Sequence, residues 1–247
     1  HYSLGWTLLK NLRLGEAEKA LRKAITLKPD YAEAHHYMGV TMQKLERYEE
    51  AAATYLKAIA SKPKYFKAYL NLGITFTKLG KFKKAEKSFR QATQTNPYSY
   101  TAHLYLAEIL YKQKKLKEAA SSYRQAIALK PDYAEAHFNL GNILRELGGL
   151  EEAEASYNQA IALKPDYTEA HSNLGVTLRG LGRLGEAEAS FRQAIALKPD
   201  YTEAFFNLGL MIQDLGKLDD AKACYTKAIA LKPDFAEAHR VLALIKK

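Results

Sequence analysis

Apolar and polar positions recur along this chain with a helical period. Between residues 136 and 147, Ala136, Leu140, Ile143, Leu144 and Leu147 fall at three- and four-residue steps. That spacing lines one side of an α-helix. Gly148-Gly149 breaks the pattern, and Ala153, Tyr157, Ala160, Ile161 and Leu163 then form a second stripe that ends ahead of Pro165. The pattern predicts two amphipathic helices of about 14 residues, each roughly 21 Å long, joined by a tight turn. No strand is expected.

The same unit returns every 34 residues. All seven prolines keep that interval: Pro29, Pro63, Pro97, Pro131, Pro165, Pro199 and Pro233. Positions within a unit are numbered here so that its proline is position 32. Position 8 holds Gly5, Gly39, Gly73, Gly141, Gly175 and Gly209, with Ala107 in the remaining unit, and position 20 is alanine throughout. Such small residues predict close approach of the paired helices. Proline ends the second helix because it lacks an N–H and clashes with the preceding turn. Asp30 with Glu33, Asp132 with Glu135, Asp166 with Glu169, Asp200 with Glu203 and Asp234 with Glu237 have the spacing of a capping box. Lys64 with Lys67 and Tyr98 with Thr101 do not, so a less stable middle is expected. A single hairpin cannot bury its apolar face, whereas stacked hairpins share a continuous core and form a solenoid.

A 34-residue helix–turn–helix period is that of the tetratricopeptide repeat, and the chain resembles that family over its whole length. The resemblance implies an all-α fold, a right-handed α-α superhelix of seven repeats plus a C-terminal helix at 236–247. The repeats end near residues 31, 65, 99, 133, 167, 201 and 235, and the whole of 1–247 reads as one solenoid domain without a linker. It also implies a groove lined by the first helix of each repeat. The first repeat lacks its opening residues, which fits an arm of a longer protein. The chain starts at His1 with no basic-then-apolar leader.

Composition narrows the function. No apolar run approaches the roughly 18 residues of a membrane span, so no membrane partner is expected. The single Cys224 excludes a disulfide framework and fits a reducing, cytoplasmic setting. Patterns that resemble catalytic chemistry have simpler readings. Six histidines (His1, His35, His103, His137, His171 and His239) share position 4 with Tyr69 and Phe205, which marks a packing slot. Helices pack about 8–10 Å apart, too far for one metal to gather imidazoles at about 2.1 Å. Adjacent His35 and His36 point to different sides of a helix. Gly180, Gly182 and Gly185 satisfy GxGxxG, but inside a helical turn and not after a strand. Cys224 lacks a paired base and reads as an inert small residue. The aromatic residue at position 24 reads as core, and the tyrosine at position 34 as packing between repeats. No catalytic residue, cofactor or metal is expected.

Function is then expected on the groove. Position 6 holds Asn71, Asn139, Asn173 and Asn207, with Tyr37 and Tyr105 in two other repeats. This asparagine ladder resembles the superhelical arm of the O-linked N-acetylglucosamine transferase family, where such residues hold the backbone of an extended polypeptide. An amide offers two donors and an acceptor, so it pairs with a peptide bond whatever the side chain. Position 13 adds Lys10, Lys44, Lys78 and Lys112, and position 12 adds Arg145 and Arg179. The family's carboxylate clamp for chaperone tails is only partly matched. Asn142 and Asn173 fit it, while Phe138, Glu203 and Asn207 stand where it needs cations.

Charge is uneven. The net charge is +10, with 24 basic and 10 acidic residues in 1–130 against 13 and 17 in 131–247. Lys83 and Lys84 open a second helix where other repeats carry acid, against the helix dipole. With Lys114 and Lys115 they form a basic flank suited to an anionic partner surface. The leading expectation is a non-catalytic scaffold that binds an extended peptide or protein segment. The alternative is the recognition arm of a longer enzyme such as a glycosyltransferase. Nucleic-acid binding rests on net charge alone and lacks a recognition motif. Exposed terminal helices offer a route to homo-oligomers.

Overall fold

The structure, a computed structural model, describes residues 1–245. Lys246 and Lys247, the last residues of the expected C-terminal helix, lie outside the described residues. The described chain is α-helical with no strand, and it packs as two compact units divided after Leu129.

The first unit holds α1 (Tyr2–Lys10), α2 (Leu14–Leu27), α3 (Ala32–Lys44), α4 (Tyr48–Ser61), α5 (Phe66–Lys78), α6 (Phe82–Thr95), α7 (Tyr100–Lys112) and α8 (Leu116–Leu129). The second holds α9 (Ala134–Glu146), α10 (Leu150–Leu163), α11 (Thr168–Gly180), α12 (Leu184–Leu197), α13 (Thr202–Asp214), α14 (Leu218–Leu231) and α15 (Ala236–Ile245). Consecutive helices pair into hairpins, and hairpins stack within each unit.

Every hairpin turn is built alike. Position 15 adopts a left-handed conformation in all seven: Leu12, Glu46, Gly80, Lys114, Gly148, Gly182 and Gly216, with φ between 57° and 84°. Around it the N–H of Arg47 donates to Met42 O at 2.9 Å and that of Glu46 to Gln43 O at 3.1 Å. The same two bonds recur in the other turns. This is a Schellman closure, which satisfies the orphan carbonyls of the first helix. Gly182 of the GxGxxG pattern occupies this slot, so that pattern is turn chemistry.

Between hairpins the proline acts through its predecessor. Lys28, Lys62, Asn96, Lys164, Lys198 and Lys232 take φ near −140° and ψ near 90°, the extended region that a following proline imposes. The capping-box expectation is corrected at this junction. The N-caps of α3, α9, α11 and α13 are Tyr31, Tyr133, Tyr167 and Tyr201, and none caps through its side chain. Ser99 does cap α7 through its side chain, its Oγ accepting from the Ala102 N–H at 3.3 Å. It lies in a repeat expected to lack a cap, so missing caps do not single out the middle as weak.

The core confirms the small-residue reading. A Cβ added to Gly39, Gly73, Gly141, Gly175 or Gly209 would come within 2.5–2.7 Å of the position-24 ring of its own repeat. The alanines at position 20 are fully buried. Position-34 rings pack on position 5 of the preceding hairpin, Tyr65 on His36 at 5.1 Å and Tyr167 on Phe138 at 4.8 Å. The position-4 histidines have a local partner: Nε2 of His35, His103, His137, His171 and His239 lies 2.7–3.0 Å from the proline carbonyl six residues earlier.

Candidate functional site

Within each unit successive first helices touch one another, α1 with α3, α3 with α5 and α5 with α7, then α9 with α11 and α11 with α13. They therefore form the inner row, where repeat positions 5, 6, 9, 12 and 13 come together.

In the first unit this row contains a hollow of about 190 Å³ between α5 and α7. Phe89 and Ile109 floor it, Thr77, Tyr105 and Glu108 line it, and Lys78 and Lys112 stand at its rim. Tyr105 is fixed by stacking on Phe89, with centroids 5.4 Å apart. Desolvation pushes the Glu108 carboxyl above the usual carboxylate range, and Lys112 partly opposes it. Glu108 did not emerge from the sequence. It is the sole carboxylate at position 9 of any repeat, a signal that position-by-position comparison carries. Lys44 is exposed at the end of α3. Tyr37 packs among aromatic rings, 5.9 Å from Tyr2 and edge-on to His36 at 4.9 Å.

The asparagine ladder divides into two pairs. Asn71 Nδ2 lies 3.1 Å from His36 Nε2 of the preceding repeat. Asn173 Nδ2 donates to Asn142 Oδ1 at 2.8 Å, and the Tyr157 hydroxyl donates to the same oxygen at 2.7 Å. These two ladder members stitch neighbouring repeats. Asn139 and Asn207 make no side-chain hydrogen bond within the described residues of their unit. The two residues that fit the carboxylate clamp, Asn142 and Asn173, are thus bonded to each other. Arg179 Nε meets Asp214 Oδ2 at 2.5 Å, an ion pair between repeats. Arg145 keeps a buried Nε without a hydrogen-bond partner among the described residues.

The basic flank separates into unlike parts. Lys115 is held by Glu86, at 2.9 and 2.8 Å from its two oxygens. Arg90 and Gln113 bond the same carboxylate. Glu86 is only 8% exposed. Burial would raise its pKa, but Lys115, Arg90 and Gln113 outweigh that and hold it below the usual range. Lys115 occupies the slot used by Arg47 on Glu18, at 2.9 Å, and by Arg183 on Glu154, at 2.7 Å. It is a clamp between hairpins and not a free docking cation. Lys114 sits in the left-handed turn, 5.4 Å above the Tyr111 ring. Lys83 and Lys84 are exposed.

No three metal-ligating side chains converge among the described residues. Burial raises the pKa of the half-buried Cys224 thiol. No described helix is long and apolar enough to cross a membrane.

The fold defines a helical-hairpin repeat protein. Models of the tetratricopeptide repeat match residues 1–31, 44–80, 66–99, 107–148, 141–182, 177–216 and 202–235. The chain belongs to the tetratricopeptide repeat family, and its all-α architecture is the solenoid of that family. Among curated proteins no sequence matches it. Among solved structures, the C-terminal part of a tetratricopeptide repeat-containing protein from Cytophaga hutchinsonii superposes with a TM-score of 0.80 at 14% identity, covering 97% of this chain and 98% of that one. YrrB, described as a tetratricopeptide repeat protein with an unusual peptide-binding site, gives 0.68 at 23% identity over 77% and 98%. MamA gives 0.64 at 24% over 66% and 95%. At these identities the likeness concerns the fold.

Proposed function

We propose that this protein is a non-catalytic interaction scaffold of a cytoplasmic setting, which holds an extended segment of a partner protein against its first helices. The observation that carries the reading is the hollow between α5 and α7. An apolar floor, a fixed tyrosine and two rim lysines suit a side chain flanked by acid. Within the second unit, taken by itself, Asn139 and Asn207, without side-chain hydrogen bonds among its described residues, offer amides to a peptide backbone. YrrB, of like fold, is described as having a peptide-binding site, which supports the reading.

The test is a nuclease-treated pull-down with quantitative mass spectrometry. It compares the wild type, Lys78→Glu/Lys112→Glu and Asn139→Ala/Asn207→Ala, after circular dichroism shows all three folded. A defined protein held by the wild type and depleted at least tenfold by the charge reversal supports the reading. Equal capture by all three proteins overturns it.

A further inference from the structure

A second cleft, of about 540 Å³, lies away from the inner row, between α4, α5 and α6 of the first unit. Leu56, Ile59, Tyr69 and Leu72 wall it, and Lys84 and Lys87 border it. The same place in the repeat forms clefts at α2, α3 and α4 and at α12, α13 and α14, so neighbouring repeats serve as internal controls.

Three substitutions set the α4–α6 cleft apart. Position 25 is Leu56 here, where Arg22, Arg90, Arg124 and Arg192 stand in other repeats. Leu56 is 51% exposed, an apolar side chain in water at a place built elsewhere for a guanidinium. Position 4 is Tyr69, an aromatic ring like Phe205 of the α12–α14 cleft. Position 19 is Lys84, where all six other repeats carry Glu or Asp, and position 22 is Lys87, where four carry alanine. In the control clefts cations face acid: Arg22 pairs with Glu18, Glu50 with Arg47 and Arg192 with Glu188, at 2.6–2.7 Å. In the α4–α6 cleft neither Lys84 nor Lys87 has an ion pair among the described residues. Glu86 is the single carboxylate between Glu50 and Glu108, and Lys115 and Arg90 already engage it.

We infer that this cleft is a docking site for an acidic segment of a partner protein that inserts an apolar side chain between Leu56, Ile59 and Leu72 while its carboxylates meet Lys84 and Lys87. Charge complementarity names the sign of the partner, because two unpaired cations over apolar walls gain most from carboxylates held out of bulk water. The apolar walls favour a protein segment over nucleic acid. Base stacking needs an open ring face, and Lys84 Nζ already lies 5.7 Å over the Phe76 ring. The site shares no residue with the inner hollow, so it is independent of the groove reading.

The test uses residues that other repeats carry at the same places, which protects folding: Leu56→Arg, Lys84→Glu and Lys87→Ala. A random 12-residue phage-displayed peptide library is selected on the wild type, with counter-selection on the triple variant. Selected peptides rich in Asp and Glu around a Leu, Ile or Phe are expected. Their affinity should fall at least tenfold with Leu56→Arg alone and with Lys84→Glu/Lys87→Ala, yet hold in Lys78→Glu/Lys112→Glu. Melting curves confirm that each variant folds. An empty selection, peptides without acid, or affinity indifferent to Leu56→Arg overturns the inference. So does a cleft filled by another occupant. One case is a 20-nucleotide DNA whose binding is lost with Lys84→Glu/Lys87→Ala. The other is a concentration-dependent dimer of this chain, seen by sedimentation, that dissociates with Leu56→Arg.

Discussion

His35 and His36 are sequence neighbours in opposite situations. His35 reaches the Pro29 carbonyl at 2.7 Å, as the other position-4 histidines reach theirs. His36 is 4% exposed, and its Nε2 accepts from the Asn71 amide, so the imidazole is neutral. Burial first, then the charge of Lys67, lowers its pKa from 6.5 to about 4, against a smaller pull from Glu33. A base whose folded pKa is depressed stabilises the fold fully above its unfolded value. That stability is lost as pH falls through the window from 6.5 to about 4. Urea melts should therefore show a loss on the order of 3 kcal/mol across that window, and His36→Gln should flatten it. An unchanged profile in the variant would remove His36 as the cause. The turn residues make a second case. Glu46 and Lys114 hold φ of 59°, which a side chain resists by about 1–2 kcal/mol. Glu46→Gly and Lys114→Gly should each raise stability by about 1 kcal/mol, read as a higher melting temperature. Neither cost is visible in a sequence window. Gly80, Gly148, Gly182 and Gly216 mark the left-handed slot plainly, and only the repeat register extends it to Glu46 and Lys114.

At the scale of helices, spacing between the two members of a hairpin depends on position 8. In Gly73→Ala the new Cβ would sit 2.5 Å from Phe89 Cε1, and overpacking of this kind costs about 1–3 kcal/mol. Chemical denaturation should read that loss, and Gly15→Ala, where a Cβ meets nothing within 4 Å, is the control. The seams between hairpins are partly electrostatic. Glu86 gathers Arg90 from its own helix and Gln113 and Lys115 from the α7–α8 turn. Glu86→Gln should cost about 1–3 kcal/mol at neutral pH. The difference from wild type should shrink as pH falls through the lowered carboxylate pKa, because the wild type then loses its charge as well. The sequence suggested Lys115 as a free cation because it stands in a lysine run. Its partner is 29 residues away, and no local pattern reveals such a pairing.

Across the molecule, charge and shape are divided. The basic excess lies in the first half of the chain, and the α5–α7 hollow and the α4–α6 cleft of the first unit carry rim or unpaired lysines. Partner capture through this unit should weaken as salt rises from about 0.05 to about 0.5 M, since the screening length falls from roughly 14 Å to roughly 4 Å. Capture indifferent to salt would mean that apolar contact alone holds the partner. The sequence by itself determined the helices, the hairpin register and the stacked-repeat architecture. Each rests on interactions within one 34-residue unit, and seven copies of the pattern reinforce one reading. The positions expected on the inner row came from the family resemblance. Tertiary structure alone decided which side chains on that row remain available. Asn71 and Asn173 bond neighbouring repeats and Arg179 pairs with Asp214, while Lys78 and Lys112 stand open around Glu108. The physical reason is distance. Folding a repeat depends on partners three or four residues away, whereas the state of a groove residue depends on partners about one repeat away, which sequence periodicity aligns but does not bring into contact.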